Sequence, residues 1–211
     1  MKDDYFFNVK RKRPEEIHEK VSDYFSSDTL IKYATSKSMM RIQEKITIRA
    51  LELLSLKIRK PLILDAGSGP GFTSFYLKKI GYRVVSLDVI SEFLNFYDIR
   101  DLNPIVSDMC FTPFKSNIFD AIISISALQW IFRDVKDKAM RLNLINLAKS
   151  FEKILKPKSG ITFQFYPKSE IIMKEIGKIF TQNTNFIGNF VIDNPNNAKK
   201  RKIFLVLKKV S

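Results

Sequence analysis

Three of the chain's seven glycines, Gly67, Gly69 and Gly71, fall within five residues. They directly follow the apolar run Leu62-Ile63-Leu64 and directly precede a helical stretch, Phe72 to Ile80. A short buried strand, a sharp glycine turn and a helix in succession limit the fold more than any other feature. Glycine is required where backbone must come close to a ligand and a Cβ would collide. The stretch reads Asp65-Ala66-Gly67-Ser68-Gly69-Pro70-Gly71. Its spacing departs from the G-x-G-x-x-G of dinucleotide-binding folds, and Pro70 lacks an N–H that a pyrophosphate cradle would use. The loop suits a ligand with a carboxylate and a nucleoside better than one with a diphosphate.

Strands and helices alternate on both sides of this turn. Gly81 stops the helix, and Arg83 to Leu87 forms a strand ending at Asp88. Ser91 is expected to N-cap a helix reaching about Tyr97. Pro104–Ser107 is a short strand ending at Asp108, and Phe119–Ser126 a strongly apolar one. Met140, Leu144, Leu147, Ala148, Phe151 and Leu155 mark one face of a long helix, closed by Lys156-Pro157 and Gly160. Strand Ile161–Phe165, helix Ser169–Phe180 and strands Phe186–Ile192 and Lys202–Leu207 follow. Only a loop joins the last two, which predicts an antiparallel hairpin at one edge. Upstream, Ile42, Ile46, Ala50, Leu53 and Leu54 predict an amphipathic helix over Arg41–Leu56. Residues 1–40 read as an irregular arm with one short helix, and 41–211 as one domain. The fold class is α/β: a doubly wound, seven-stranded, Rossmann-like sheet with a C-terminal antiparallel hairpin.

Two more acids end strands. Asp88 lies 23 residues after Asp65 and can accept hydrogen bonds from both ribose hydroxyls of a nucleoside. Asp108 can accept from an adenine exocyclic amine. Ligands of open α/β sheets bind at the carboxyl ends of the strands, beside the topological switch point. Asp65, Asp88 and Asp108 would share that rim with the glycines. A lone strand-end Asp is more often a turn or cap residue; the three together with this loop point to S-adenosylmethionine.

The segment after the fourth strand, Ser124-Ile125-Ser126-Ala127-Leu128-Gln129-Trp130, would line the acceptor pocket. It is not the Asn/Asp-Pro-Pro-Tyr/Phe loop that methylates exocyclic amines, and it has no cysteine for attack on pyrimidine C6. Cys110 reads as a small buried residue. Trp130 could stack on a base or pack in the core. Guanine N7 carries a free lone pair at neutral pH, so it needs no general base, only alignment with the methyl–sulfur bond. His18, the sole histidine, reads as solvent-exposed in the charged arm, and no metal site is expected.

The formal charge of +14 is uneven. Residues 61–150 carry 10 basic and 9 acidic groups, residues 1–60 carry 14 and 9, and residues 151–211 carry 12 and 4. Such flanks attract a polyanion, most simply nucleic acid, although Lys-rich usage can also serve solubility alone. Lys10-Arg11-Lys12-Arg13 and Lys199-Lys200-Arg201-Lys202 are the RNA-contact candidates; the first run also reads as a nuclear signal. No apolar run approaches bilayer length, and no signal-peptide pattern is present. One cysteine excludes an internal disulfide and a Cys-only zinc site. A reducing, cytoplasmic setting is expected, or a nuclear one in a eukaryote.

From about Arg13-Pro14-Glu15 to Leu207 the chain resembles the small-subunit ribosomal RNA guanine-N7 methyltransferases, class I enzymes that act with a small zinc-ribbon activator subunit. Lys32-Tyr33-Ala34-Thr35, Met39 and Ile42-Gln43 match that family's cofactor-covering segment, and Arg49-Ala50-Leu51-Glu52-Leu53-Leu54 its helix before strand one. Leu64-Asp65-Ala66-Gly67-Ser68-Gly69 matches its cofactor loop, and Asp108-Met109 its adenine-side pair. Phe119-Asp120-Ala121-Ile122-Ile123-Ser124-Ile125-Ser126-Ala127-Leu128-Gln129-Trp130 is the most distinctive match. Tyr166-Pro167 and Asn194-Pro195-Asn196, followed by Lys199-Lys200, complete the set. Ser36-Lys37-Ser38-Met39 and Gly71-Phe72-Thr73-Ser74 depart from the family's usual residues. The basic C-terminal extension of eukaryotic members is missing, which suggests an archaeal-type or minimal member.

The resemblance implies a class I methyltransferase that forms 7-methylguanine in small-subunit RNA and serves ribosome biogenesis. Asp65, Gly67, Ser68, Gly69, Gly71, Asp88, Val89, Asp108, Met109 and Ser124 would bind the cofactor, with Tyr33 and Thr35 closing over it. Ser126, Gln129, Trp130 and Tyr166 would stand on the acceptor side. The activator would add to the edge strand near residues 104–107. The rivals are a methyltransferase for a small molecule or for tRNA, and a ribosome-assembly factor whose binding outweighs its catalysis.

Overall fold

The computed structural model describes residues 12–97, 102–198 and 200–210. Its pivot is Leu62–Ala66 (β1), whose successive side chains point to opposite faces. Ile63 enters a core with Ile46, Ala50 and Leu77, while Leu64 enters a larger one with Leu147, Phe151 and Phe163. β1 pairs in parallel with Arg83–Asp88 (β2) and Phe119–Ile125 (β4). Asn103–Val106 (β3) adds outside β2, and Leu155–Phe165 (β5) outside β4. Lys202–Lys209 (β7) and Phe186–Asp193 (β6) complete the order β3-β2-β1-β4-β5-β7-β6. The first five strands are parallel, and β7 runs antiparallel to both its neighbours. This is the expected doubly wound sheet with its antiparallel C-terminal pair. Strand order reverses between β1 and β4, so the space beyond Ala66 and Ile125 is the switch point.

Pro14–Ile17 (α1), Val21–Tyr24 (α2) and Ser27–Ala34 (α3) lead into Lys37–Leu54 (α4). Residues 12–36 are therefore helical in three short pieces rather than irregular; residues 1–11 lie outside the described residues. α4 begins four residues before the predicted Arg41, because the Ser36 hydroxyl accepts from the Met39 N–H at 3.3 Å and caps it. α4 and Phe72–Lys79 (α5) cover one face of the sheet. Leu128–Ile131 (α6), Lys138–Ile154 (α7) and Glu170–Asn183 (α8) cover the other.

Two local expectations fail for physical reasons. Ser91 does not cap a helix; Ser91–Phe96 is a 3₁₀ segment with no side-chain cap. Ile90, Phe93 and Phe96 recur every third residue against Leu30, which the three-residue period matches. Nor is α7 closed by Lys156-Pro157. It passes straight into β5 because Leu155, fully buried, already pairs with Phe119. A register shift follows before Gly160 meets Ala121. The end of α7 is closed instead by a distant residue. The Lys209 ammonium is buried and donates to Glu152 O (2.7 Å), Leu155 O (2.8 Å) and Asn117 Oδ1 (3.0 Å), which uses all three of its protons. Among the described residues no helix is long and apolar enough to cross a membrane.

Candidate active site

Beyond Ala66 the chain turns through Gly67, Gly69 and Gly71 at φ of 72°, 54° and 86°, conformations that disfavour side chains. The three glycines have different reasons. A Cβ on Gly67 would stand 2.5 Å from the Ala127 Cβ, and one on Gly71 2.7 Å from the Tyr97 ring. On Gly69 it would meet nothing closer than Tyr33, at 3.8 Å. Gly67 and Gly71 are thus small because protein packs against them, and Gly69 alone faces open space. The sequence reading had assigned all three to a ligand.

The loop is held from below. Gly67 N and Ser68 N donate to Leu87 O at 2.8 and 3.0 Å, and Gly69 N donates to Asp88 Oδ2 at 2.7 Å. Ile90 N donates to Asp88 Oδ1 at 2.9 Å, so the Asp88 carboxylate is fixed by two amides. Tyr97 Oη lies 2.8 Å from Ser68 Oγ and 3.0 Å from Gly69 O and shares its one proton between them. Asp65, also buried, accepts the Ser74 hydroxyl at 2.6 Å, and Ser74 Oγ is 2.7 Å from Ser86 Oγ. Burial pushes the Asp65 carboxyl up to about 7; the Ser74 bond opposes the shift, and the Asp88 charge adds to it. Burial raises Asp88 as well, against the lowering effect of its amide partners.

These groups open on a cleft of about 560 Å³ at the switch point, a volume suited to a small ligand. Asp65, Gly67, Ser68, Gly69 and Asp88 line its floor. Val89, Asp108 and Met109 line the β2–β3 side, and Ser126 and Trp130 the β4 side. Asp108 is exposed, and its Oδ1 accepts from Cys110 N at 2.8 Å. The helical arm forms the roof. Phe25 lies 5.2 Å from Tyr33 and 5.0 Å from Phe93 between ring centres, and Gln43 Nε2 donates to the Tyr33 hydroxyl at 3.4 Å. Burial pushes the Tyr33 phenol up to about 12. Among the described residues no group of His, Cys, Asp and Glu could hold a metal ion.

Not every predicted residue reaches the cleft. Thr35 is exposed and donates to Ile31 O at 2.8 Å, capping α3. Ser124 is fully buried inside the sheet, and its hydroxyl has no partner among the described residues. Gly71 is spent on Tyr97. Gln129 and Tyr166 are parted from Ser126 and Trp130; they line a second cleft, of about 410 Å³. Gln129 Nε2 donates to Ser126 O at 2.8 Å. The Tyr166 ring has Arg13 at 5.4 Å and Lys202 at 5.3 Å from its centre, so the protein's own cations occupy it. Ser126, at φ 59°, donates to Gln164 Oε1 at 2.9 Å. Trp130 stacks on Tyr24 at 6.0 Å. His18 is half-buried, 5.6 Å from the Tyr24 ring, not solvent-exposed as its charged surroundings suggested. Cys110 is buried, which pushes its thiol up.

Of the basic runs, Lys10, Arg11 and Lys199 lie outside the described residues. Lys12 and Lys200 are exposed. Arg13 is half-buried and donates to Tyr166 O at 2.6 Å, Arg201 donates to Pro195 O at 2.6 Å, and Lys202 donates to the Tyr166 hydroxyl at 3.2 Å. Sequence reasoning missed Phe25, Phe93 and Tyr97. Nothing marks them out among 18 phenylalanines and 7 tyrosines; only the third-residue spacing of Ile90 and Phe93 could have pointed to an inward face.

Residues 64–159 match the family described as a methyltransferase domain. Among solved structures the chain is similar to a protein of Pyrococcus horikoshii, with a TM-score of 0.65 at 16% identity over 89% of this chain and 98% of that one. A second is the Streptomyces coelicolor geranyl diphosphate C-methyltransferase bound to S-adenosyl-L-homocysteine, with a TM-score of 0.62 at 13% identity over 88% and 86%. At these identities the likeness concerns the fold. Sequence likeness goes further. The chain is 34% identical over 191 residues to the 18S rRNA (guanine-N(7))-methyltransferase of Bos taurus, covering 87% of this chain and 67% of that one. It is 35% identical over 194 residues to the 18S rRNA (guanine(1575)-N(7))-methyltransferase of Saccharomyces cerevisiae, with the same coverage. A likeness of this depth, over 87% of the chain, makes it a member of the 18S rRNA (guanine-N(7))-methyltransferase family.

Proposed function

We propose that this protein transfers a methyl group from S-adenosylmethionine to N7 of a guanine in small-subunit ribosomal RNA and so contributes to ribosome biogenesis. The likeness to the 18S rRNA (guanine-N(7))-methyltransferases over 87% of the chain carries the reading. The residues fit the donor. Gly69 leaves space where a Cβ would intrude. Asp88 spends one lone pair of each oxygen on an amide and keeps the others for two neighbouring ribose hydroxyls. Asp108, whose Oδ1 accepts from Cys110 N, serves an adenine amine between Val89 and Met109. Asp65 lies in the cleft floor toward the amino-acid end of the ligand, where a bound ammonium would favour its ionised form. Tyr33 and Phe25 close the roof.

The bound donor presents a methyl on a sulfonium; the N7 lone pair forms the new C–N bond as the C–S bond breaks, leaving a neutral thioether and a cationic 7-methylguanine. The protein moves no proton in this step, so its task is alignment. Ser126, held by Gln164, and Trp130 border the acceptor. Gln129 positions the Ser126 carbonyl, and Tyr166 gathers Arg13 and Lys202; both act through neighbours. Lys12 and Lys200 are exposed where RNA phosphates would lie. The zinc-ribbon activator would add to the free edge of β3. Support for this comes from exposed apolar side chains near that edge: Val106 (48%), Val89 (52%) and Phe111 (63%). The protein works where small-subunit RNA is, in the cytoplasm or in a eukaryotic nucleus.

Mapping 7-methylguanine in small-subunit RNA from cells with and without the protein, and with Asp88→Ala, tests the reading. One modified guanine should vanish in both altered strains. An unchanged map would remove the substrate assignment. Loss of the mark with normal subunit maturation in Asp88→Ala would assign maturation to binding rather than to catalysis.

A further inference from the structure

We propose that the end of the sheet opposite the cleft is a second RNA-docking surface, which holds the phosphate backbone of a segment remote from the target guanine; the inference rests on the ribosomal-RNA reading above. Parallel strands bring their amino ends to one side of the molecule, and the loops leading into them are rich in exposed cations. Lys57, Arg59 and Lys60 lead into β1, and Lys79 and Arg83 lead into β2. Lys158 and Lys208 stand beside the first residues of β5, where Gly160 pairs with Lys208.

Among the described residues, carboxylates at this end are engaged within the protein. Asp120 accepts from Leu62 N at 2.8 Å and from Lys156 Nζ at 2.6 Å. Glu52 accepts from Arg49, and Glu152 from Asn185 N. Among the described residues none of the seven cations forms a close ion pair, although the Arg83 charge acts on Asp120. Like charges gathered on one face repel one another and lower stability, so the arrangement favours a polyanion that relieves the repulsion.

Distance separates this face from the acceptor mouth. β1 spans five residues, about 16 Å at roughly 3.3 Å per residue. That is twice the screening length of about 8 Å at physiological ionic strength. A phosphate at the cleft is screened from these cations, which therefore need phosphates of their own. Residues 57–60, Lys-Ile-Arg-Lys, offer no aromatic ring on which a base could stack, so the contact is to backbone and independent of sequence. Two separated contacts on one folded RNA act together through effective concentration, so a whole subunit RNA binds more tightly than a hairpin that reaches only the cleft.

The test compares the wild-type protein, its Lys57→Ala/Arg59→Ala/Lys60→Ala/Lys79→Ala variant, and a control with Arg41, Lys45, Lys149 and Lys178 all replaced by Ala. Each binds complete small-subunit RNA and a short hairpin carrying the target guanine, over a range of salt concentrations. Unchanged melting temperature and S-adenosylmethionine affinity establish that the variants are folded. For complete RNA the first variant should lose about tenfold in affinity and about three units of slope in log affinity against log salt. Its hairpin affinity should stay within about twofold, and the control should lose less on complete RNA. An unchanged slope, an equal loss on the hairpin, or an equal loss in the control would overturn the second surface. If the wild type methylates guanine N7 and the first variant binds like it, the surface alone fails. If the wild type neither binds nor methylates this RNA, the functional reading fails and the surface with it.

Discussion

Replacing Asp65 by Asn removes an ionisation that the fold opposes. The carboxyl is 1% exposed and lies near Asp88, so its pKa rises from an ordinary 3.8 to about 7. Between those values the unfolded chain has already given up the proton that the folded chain keeps. Unfolding then releases a proton, and stability falls as pH rises. The contribution is whole below the unfolded pKa and is lost as pH passes through the folded one. From pH 5 to pH 8 the loss is about 2.5 kcal/mol, at about 1.4 kcal/mol per pKa unit. For a chain of this length that is a fall of about 5–10 °C in Tm. Thermal melts of ligand-free wild type and Asp65→Asn at pH 5, 6, 7 and 8 measure it. Taking the difference between the two proteins isolates Asp65 together with its effect on the neighbouring Asp88. Wild type should lose Tm relative to the variant by the stated amount across the range. Parallel curves would mean that Asp65 titrates as a solvated carboxylate, and the reasoning from burial would be wrong.

Three further outcomes can be checked. Gly67→Ala sets a Cβ 2.5 Å from that of Ala127 at a φ of 72°; denaturant titration should show a loss of about 2–3 kcal/mol, and calorimetry no uptake of S-adenosylmethionine. Tyr97→Phe removes the proton shared by Ser68 and Gly69, and calorimetry should show cofactor affinity reduced about tenfold, equivalent to one hydrogen bond of about 1.4 kcal/mol. Lys209→Met leaves the Glu152 and Leu155 carbonyls and the Asn117 amide without their donor; chemical denaturation should show about 3 kcal/mol of destabilisation, with methylation per folded molecule unchanged.

The parallel sheet and the floor of the cleft were legible because local patterns write them. Apolar runs closed by Asp65, Asp88 and Asp108 mark strand ends, and crowded glycines mark the turn. The acceptor side was less legible because neighbours in sequence part in space. Gln129 and Trp130 adjoin in α6, yet successive residues on a helical turn point in different directions, and the two side chains line different clefts. Tyr166 was read as an acceptor residue because no pattern in one sequence reveals that Arg13 and Lys202, 153 and 36 residues away, close on its ring. Thr35 shows the opposite error, a residue beside a true roof residue whose hydroxyl serves its own helix. Of the aromatic roof only Tyr33 was legible; Phe25, just after α2, and Phe93, in the Ser91–Phe96 turn, meet it only after the arm folds back.

The placement of β7 between β5 and β6 affects how this protein is made. β6 is synthesised first, but the strand that joins it to the rest of the sheet comes afterwards. Between the end of β5 and the start of β7 lie 36 residues, which at about 5–20 residues per second take about 2–7 s to translate. During that interval a nascent chain carries a bare β5 edge, joined over the last eight residues by a completed β6 with nothing to hydrogen-bond to, the kind of surface that chaperones bind and aggregates exploit. Arrival of β7 inserts the missing strand and drives Lys209 into the end of α7, so one segment completes both the sheet and the helix end.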